Sequence, residues 1–231
     1  MERSKDPYAA AKYSVIERYL SPRKRLRILN AGCGSGELSF RLAAAGHDVV
    51  GIDPASEYVT LAERGAHAIG LQRCSFEVST IESFTAREPF DCVVATDVLE
   101  HIEDDRTAFD RLVDLVKPGA PVVITVPAMQ SLFGFHDEQL GHYRRYSKTT
   151  LRRLMERRCT MQFVRYFGAS LIPVCLLYSR ILRRAYPVAE SGDSQRSPLL
   201  APVLQSVLTL ESRIPAPLGI SLIAAGLSRS H

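Results

Sequence analysis

The chain has 231 residues, a formal net charge of +4 and 46% apolar against 23% charged side chains, which is ordinary for a soluble globular protein. Its basic residues are scattered or locally clustered, with no nucleic-acid signature, and the cysteines (Cys33, Cys74, Cys92, Cys159, Cys175) include no Cys-x-x-Cys pair, so neither a zinc site nor a disulfide framework is indicated. The opening Met1 to Pro7 lacks the apolar core of a secretory signal, and the greasiest stretch, Leu171 to Leu182, contains Pro173 and falls short of the roughly 20 residues a bilayer span requires. The expectation is a cytoplasmic protein with reduced thiols.

Residues 8–20 read as an amphipathic helix, with Tyr8, Ala11, Val15, Ile16, Tyr19 and Leu20 near a 3.6 period. Its tyrosines, Tyr8 and Tyr13, either close over a bound ligand or pack on the edge of a sheet. From Leu26 to Glu37 a short apolar run breaks into a glycine-rich turn and enters a helical pattern: strand, tight loop, helix N-terminus. Gly32, Gly34 and Gly36 admit positive φ and close approach of a ligand to the backbone. A dinucleotide fingerprint places its third glycine where this chain has Glu37, so a dinucleotide fits poorly. Asp53 ends the next apolar run about 20 residues on, where a carboxylate accepts both ribose hydroxyls.

The alternation continues as strand 26–31, helix 36–45, strand 48–53, helix 55–64, strand 74–79, strand 90–96, helix 104–116 and strand 121–126. Such an order predicts an α/β, Rossmann-like, mostly parallel sheet with helices on both faces and ligands at the carboxyl ends of the strands. After residue 127 comes a polar, aromatic and basic stretch, Met129 to Tyr146, then a helix over 148–157 capped by Ser147 and a strand over Met161 to Phe167. Apolar helical segments at 170–185 and 199–211, separated by the polar loop Glu190 to Ser197, read as an insertion before a closing strand, Ile220 to Leu227. The expected sheet has seven strands.

Four blocks within 25–127 resemble the class I S-adenosylmethionine-dependent methyltransferases. Asn30-Ala31-Gly32-Cys33-Gly34-Ser35-Gly36 resembles their first motif, and Gly51-Ile52-Asp53-Pro54 the second. Where that family places an aspartate for adenine, this chain has Ser79-Thr80-Ile81-Glu82; Phe90 to His101, with Thr96, Asp97 and Val98, resembles the strand-four segment beneath the methionine part of the cofactor. The resemblance implies S-adenosylmethionine as cofactor, held by Asn30, Ala31, Gly32, Cys33, Gly34, Gly36, Asp53, Pro54, Thr80, Ile81, Glu82, Thr96, Asp97, Val98 and His101. It implies one methyltransferase domain over 1–231: an N-terminal helix (1–24), a cofactor-binding core (25–127), then a substrate loop, two strands and a helical insertion (170–212). Asp97, Glu100 and His101 repeat the spacing with which some quinone-biosynthetic O-methyltransferases bind a divalent cation, yet similar segments occur in metal-free relatives, and the expectation is no metal.

The stretch Phe133 to Tyr146, with its His-Asp…Gly-His-Tyr-Arg-Arg-Tyr pattern, resembles a subgroup of bacterial small-molecule methyltransferases, and its chain position places it over the transfer site. His136 or His142 supplies a base, Asp137 or Glu138 an orienting acid, and the arginines, Arg144 among them, hold a carboxylate or phosphate on the acceptor; His136, His142, Arg144 and Tyr143 are the candidate catalytic residues. In a structural reading the arginines pair with Asp137, Glu138 or Glu156. The resulting expectation is O-methylation of a small or lipid-linked metabolite, with N-methylation of an amine as the neighbouring reading. A non-catalytic protein using the apolar helices as a homodimer face is a further reading. So is one docking them on a membrane with Arg180, Arg183 and Arg184.

Overall fold

The computed structural model describes residues 6–182 and 200–229. Helix α1 (Pro7–Leu20) starts where Asp6 accepts the Tyr8 N–H and Pro7 supplies a preset first turn. The chain then alternates through β1 (Arg27–Ala31), α2 (Glu37–Ala44), β2 (Asp48–Asp53), α3 (Ser56–Ala68), β3 (Cys74–Val78), β4 (Cys92–Thr96), α4 (Asp105–Asp114) and β5 (Pro121–Pro127). Helix α3 outruns its expected end because Gly65 is no stop signal. A Cβ there would lie 2.8 Å from the Phe40 ring, while Val59, Ala62 and Ala66 carry the buried stripe past it. Strand β4 starts later than expected because the Asp91 carboxylate accepts the Arg27 N–H at 2.9 Å, and Phe90 keeps only an isolated bridge to Val116.

The later half holds α5 (Phe135–Gln139), α6 (Lys148–Glu156), β6 (Cys159–Phe167), α7 (Ile172–Leu176), α8 (Leu200–Arg213) and β7 (Ser221–Ser228). The helix expected at 170–185 is divided: a 3₁₀ turn, Ala169–Leu171, precedes α7, and a π-helical stretch, Leu177–Leu182, follows it. Pro173 lies in the first turn of α7, where its missing N–H is tolerated. Residues 183–199, with Arg183, Arg184 and the Glu190 to Ser197 loop, lie outside the described residues. No helix among the described residues is long and apolar enough to cross a membrane.

The seven strands run β3-β2-β1-β4-β5-β7-β6. Pairings from β3 through β5 are parallel, while β7 is antiparallel to both β5 and β6. One face packs against α4 and α6, with Phe109, Leu112, Leu151 and Met155 in its core; the other packs against α1 and α2 through Ile16, Leu20, Leu38 and Leu42. Helices α7 and α8 join α1 in a third cluster through Cys175, Leu208 and Val15 against Phe167 and Ile223. Phe109 is fully buried at the centre of the first core. Phe109→Ala should destabilise the protein by about 3–5 kcal/mol, read as a lower denaturation midpoint at unchanged slope.

Candidate functional site

The strand order reverses between β1 and β4, so their carboxyl ends open the crevice in which α/β sheets bind ligands. The glycine loop enters from β1 with φ values of +68° at Gly32, +51° at Gly34 and +88° at Gly36. A Cβ on Gly32 would lie 2.3 Å from Val98 Cγ2, so the loop touches the segment after β4 only because residue 32 has no side chain. Ala31 and Cys33 are buried, and the Cys33 N–H donates to the Ile52 carbonyl at 2.9 Å. Burial pushes the Cys33 thiol up to about 12, which keeps it neutral.

Asp53 ties this loop to the next one. Its Oδ2 accepts the Gly34 N–H at 2.9 Å and its Oδ1 the Ala55 N–H at 3.0 Å, leaving a lone pair on each oxygen for a ligand. Pro54 is exposed beside it. The segment after β3 begins next to Asp53, since the Ser79 N–H donates to the Asp53 carbonyl at 3.1 Å. Thr80 there shares a hydrogen bond with Ser83 at 3.1 Å, Glu82 is exposed and Ile81 is buried in the core. Asn30 is buried, with Nδ2 donating to Ser39 Oγ at 2.9 Å and Oδ1 without a partner.

On the β4 side Thr96 ends the strand, and Asp97 takes a φ of +55°, a strained value for a residue with a side chain. Its N–H donates to the Thr125 carbonyl at 2.9 Å and its Oδ1 accepts from Thr125 Oγ1 at 3.1 Å. Its other oxygen pairs with the buried Lys12 ammonium of α1. Burial alone would lower the Lys12 ammonium, but the Asp97 carboxylate outweighs it and leaves it raised. Tyr8 stacks on Phe167 with ring centroids 5.2 Å apart, and its hydroxyl lies 2.5 Å from Ser221 Oγ. Lys12 was missed in the sequence reading; the available signal was a charged residue inside the apolar stripe Tyr8, Ala11, Val15.

The loop after β5 brings a second set of groups alongside. Asp137, on α5, is fully buried; its Oδ1 accepts from His142 Nδ1 at 2.9 Å and Arg145 Nε at 2.7 Å, and its Oδ2 from the Gly134 N–H at 3.1 Å. Burial raises the Asp137 carboxyl, but the hydrogen bonds from His142 and Arg145 win and hold it below the usual range. The His142 ring packs edge-on against His101 with centroids 4.6 Å apart, and the Tyr143 N–H donates to the Glu100 carbonyl at 2.8 Å. The buried His136 sits on α5 itself. Tyr143 is exposed, and Arg144 pairs with Asp105 at 3.0 Å, so Arg145 rather than Arg144 is the arginine that reaches Asp137.

Glu100 is fully buried and neither carboxylate oxygen has a partner. Burial and the neighbouring Asp97 raise its carboxyl well above the usual carboxylate range. Burial and the nearby His142 lower the His101 imidazole. Donor atoms of Glu100, His101 and His142 lie within 4.8 Å of one another, a set able to hold a metal ion, whereas Asp97 is committed to Lys12 and Thr125.

A Rossmann-like sheet with a glycine loop after β1 and Asp53 at the end of β2 is the architecture that binds nucleotide-like ligands at the point where the strand order reverses. The family model described as "Methyltransferase domain" matches residues 4–158, and the chain belongs to that family. The ubiquinone biosynthesis O-methyltransferase of Azorhizobium caulinodans is 38% identical over 109 residues, covering 47% of this chain and 43% of that protein. The chain thus spans about half the length of the curated relatives it matches. Among solved structures, the N-methyltransferase NodS from Bradyrhizobium japonicum WM9, in complex with S-adenosyl-L-homocysteine, superposes with a TM-score of 0.63 at 18% identity, covering 97% of this chain and 89% of that one. The [4+2]-cyclase SpnF superposes with a TM-score of 0.67 at 15% identity over 96% and 82% of the two chains. These likenesses establish the fold.

The raised Glu100 yields a signed pH prediction. Its folded value lies above its unfolded one, so its contribution to stability is fully present below the unfolded carboxylate range and is lost as pH rises through the folded value. Glu100→Gln should therefore match the wild type at acid pH and exceed it in the alkaline range, in urea titrations across pH.

Proposed function

We propose that this protein is an S-adenosylmethionine-dependent O-methyltransferase acting on a hydroxyl of a small or lipid-linked metabolite. The observation that carries the reading is the His142–Asp137 pair, which sets an oriented imidazole beside the crevice that the glycine loop and Asp53 line. Membership of the methyltransferase-domain family and the likeness to ubiquinone O-methyltransferases support it. In this reading residues 25–127 hold the cofactor and 128–231 supply the acceptor side.

Bound S-adenosylmethionine supplies an electrophilic methyl group on a sulfonium. The chain's residues do the rest. The free lone pairs of Asp53 accept the ribose hydroxyls, and Asn30 Oδ1, buried without a partner, accepts a hydrogen bond from the methionine ammonium. Gly32 and Val98 wall the methionine portion, and Thr80 or Glu82 meets the adenine edge. The hydrogen bond to Asp137 assigns the imidazole proton of His142 to Nδ1, so Nε2 is the basic nitrogen that removes the acceptor's hydroxyl proton. The exposed Tyr143 and the half-buried Arg144 follow on the same loop, where they contact the acceptor. No step is routed through a metal ion, although Glu100, His101 and His142 lie close enough to hold one.

Calorimetric titration with S-adenosylhomocysteine tests the cofactor half: binding to the wild type is expected, with Asp53→Ala weakened by at least about tenfold. No binding to the folded wild type overturns the reading. For the transfer half, His142→Ala should lower kcat by roughly 10²–10⁴-fold on a hydroxyl acceptor, with cofactor affinity unchanged. Turnover should survive chelation of divalent ions; its loss on chelation and return with metal would assign Glu100, His101 and His142 as ligands instead.

A further inference from the structure

Behind the loop that carries His142, between α4 and α6, lies a groove of about 470 Å³, of whose lining the proposed reaction uses Arg144 alone. Its charged lining consists of Asp105, Arg106, Arg144, Arg145, Arg153 and Arg157. The acid among them is already spent: Asp105 accepts from Arg144 at 3.0 Å and from the Tyr146 hydroxyl at 2.6 Å. Arg145 is held by Asp137, and Arg157 by Asp110 at 2.8 Å. Among the described residues Arg153 has neither an ion pair nor a side-chain hydrogen bond and Arg106 has no ion pair, although the exposed Asp104 lies close enough to interact with its charge. Arg153 on α6 and Arg157 at its C-cap stand four residues apart, a spacing at which like charges repel. Three of the five guanidiniums are paired with an aspartate, which leaves Arg106 and Arg153 as positive charge on the groove that no ion pair among the described residues neutralises.

We infer that this groove is a subsite for a phosphate or pyrophosphate group. Guanidinium forks match the geometry of such oxyanions, and several of them around one concavity suit a ligand of more than one charge better than a single carboxylate. The groove adjoins the reaction site: Arg144 and Arg145 follow His142 by two and three residues, a reach of at most about 11 Å along extended chain. The group therefore belongs to the methyl acceptor, as its anionic end, with the reacting hydroxyl at His142. That assignment to the acceptor rests on the proposed methyl transfer; the binding of phosphate by the groove does not.

The test titrates inorganic pyrophosphate into the full-length wild type and into the double variant Arg106→Glu, Arg153→Glu, with Arg153→Gln as a milder companion and thermal unfolding to confirm that each variant folds. One-to-one binding is expected, weakened by about tenfold or more in the double variant and by less in Arg153→Gln, with S-adenosylhomocysteine affinity unchanged throughout. Two further arms separate the sources of the group, a soluble prenyl pyrophosphate and vesicles of phosphatidylglycerol. The prenyl compound should bind at least as well as pyrophosphate and lose affinity in the same variants. Absence of pyrophosphate binding, equal binding to wild type and double variant, or capture by vesicles without binding of soluble pyrophosphate overturns the proposal. Pyrophosphate binding with the expected losses, alongside no binding of S-adenosylhomocysteine, would uphold the groove while removing the methyl-transfer reading.

Discussion

The buried carboxylate of Asp137 holds the site together. A charge with no solvent exposure is costly unless paired, and here Arg145, almost as deeply buried, lies 2.7 Å away with His142 and the Gly134 N–H completing the shell. Removing one partner of such a pair typically costs about 3–5 kcal/mol, because the other charge stays buried. The loop from Phe133 to Tyr146 carries little regular structure of its own, so this cluster decides its path. Its far end is fastened to the sheet by the Tyr146 N–H on the Pro127 carbonyl at 2.8 Å and the Met129 N–H on the Tyr146 carbonyl at 2.9 Å. Between the two anchors His142 has little freedom but to lie against His101.

The cofactor side is built on the same economy of small contacts. Gly32 admits Val98, Asp53 braces Gly34, and the strained backbone at Asp97 is held by Thr125 on one side and Lys12 on the other. Strain of that kind persists only where the surroundings over-determine it. Lys12 also explains how an N-terminal helix, outside the alternating strand–helix core, is drawn across the carboxyl end of β4 and the amino end of the antiparallel β7: its ammonium meets Asp97 while Tyr8 meets Ser221. Loop, strand end and helix are thus one connected surface.

Much of this was legible in the sequence because it rests on short-range constraints. Three glycines at alternate positions after an apolar run, an acid ending the next run and apolar periods that switch between 2 and 3.6 define loop, ribose acid and sheet from local chemistry. The histidine–acid pairing was legible too, since Asp137 and His142 are close in the chain. What was not legible depends on distant partners. Whether Arg144 or Arg145 turns inward is decided by Asp105 on another helix, and the protonation of Glu100 by burial beneath a loop some forty residues on. Pro173 marked a break in the apolar insertion, but its position in a helix's first turn depends on packing of α7 against α1 and α8.

Consecutive arginines then acquire different meanings. Arg145, turned inward, is neutralised by Asp137 and serves the histidine; Arg144, turned outward, reaches Asp105 and the Glu103 carbonyl at 2.6 Å and faces the groove. The same backbone therefore sets the position of the imidazole and of the cationic rim, and neither can shift without the other. In the proposed reaction, binding energy from an anionic group in the groove would therefore act through the segment that holds His142 and be expressed as alignment at the reacting hydroxyl, which is where positioning lowers a displacement barrier most.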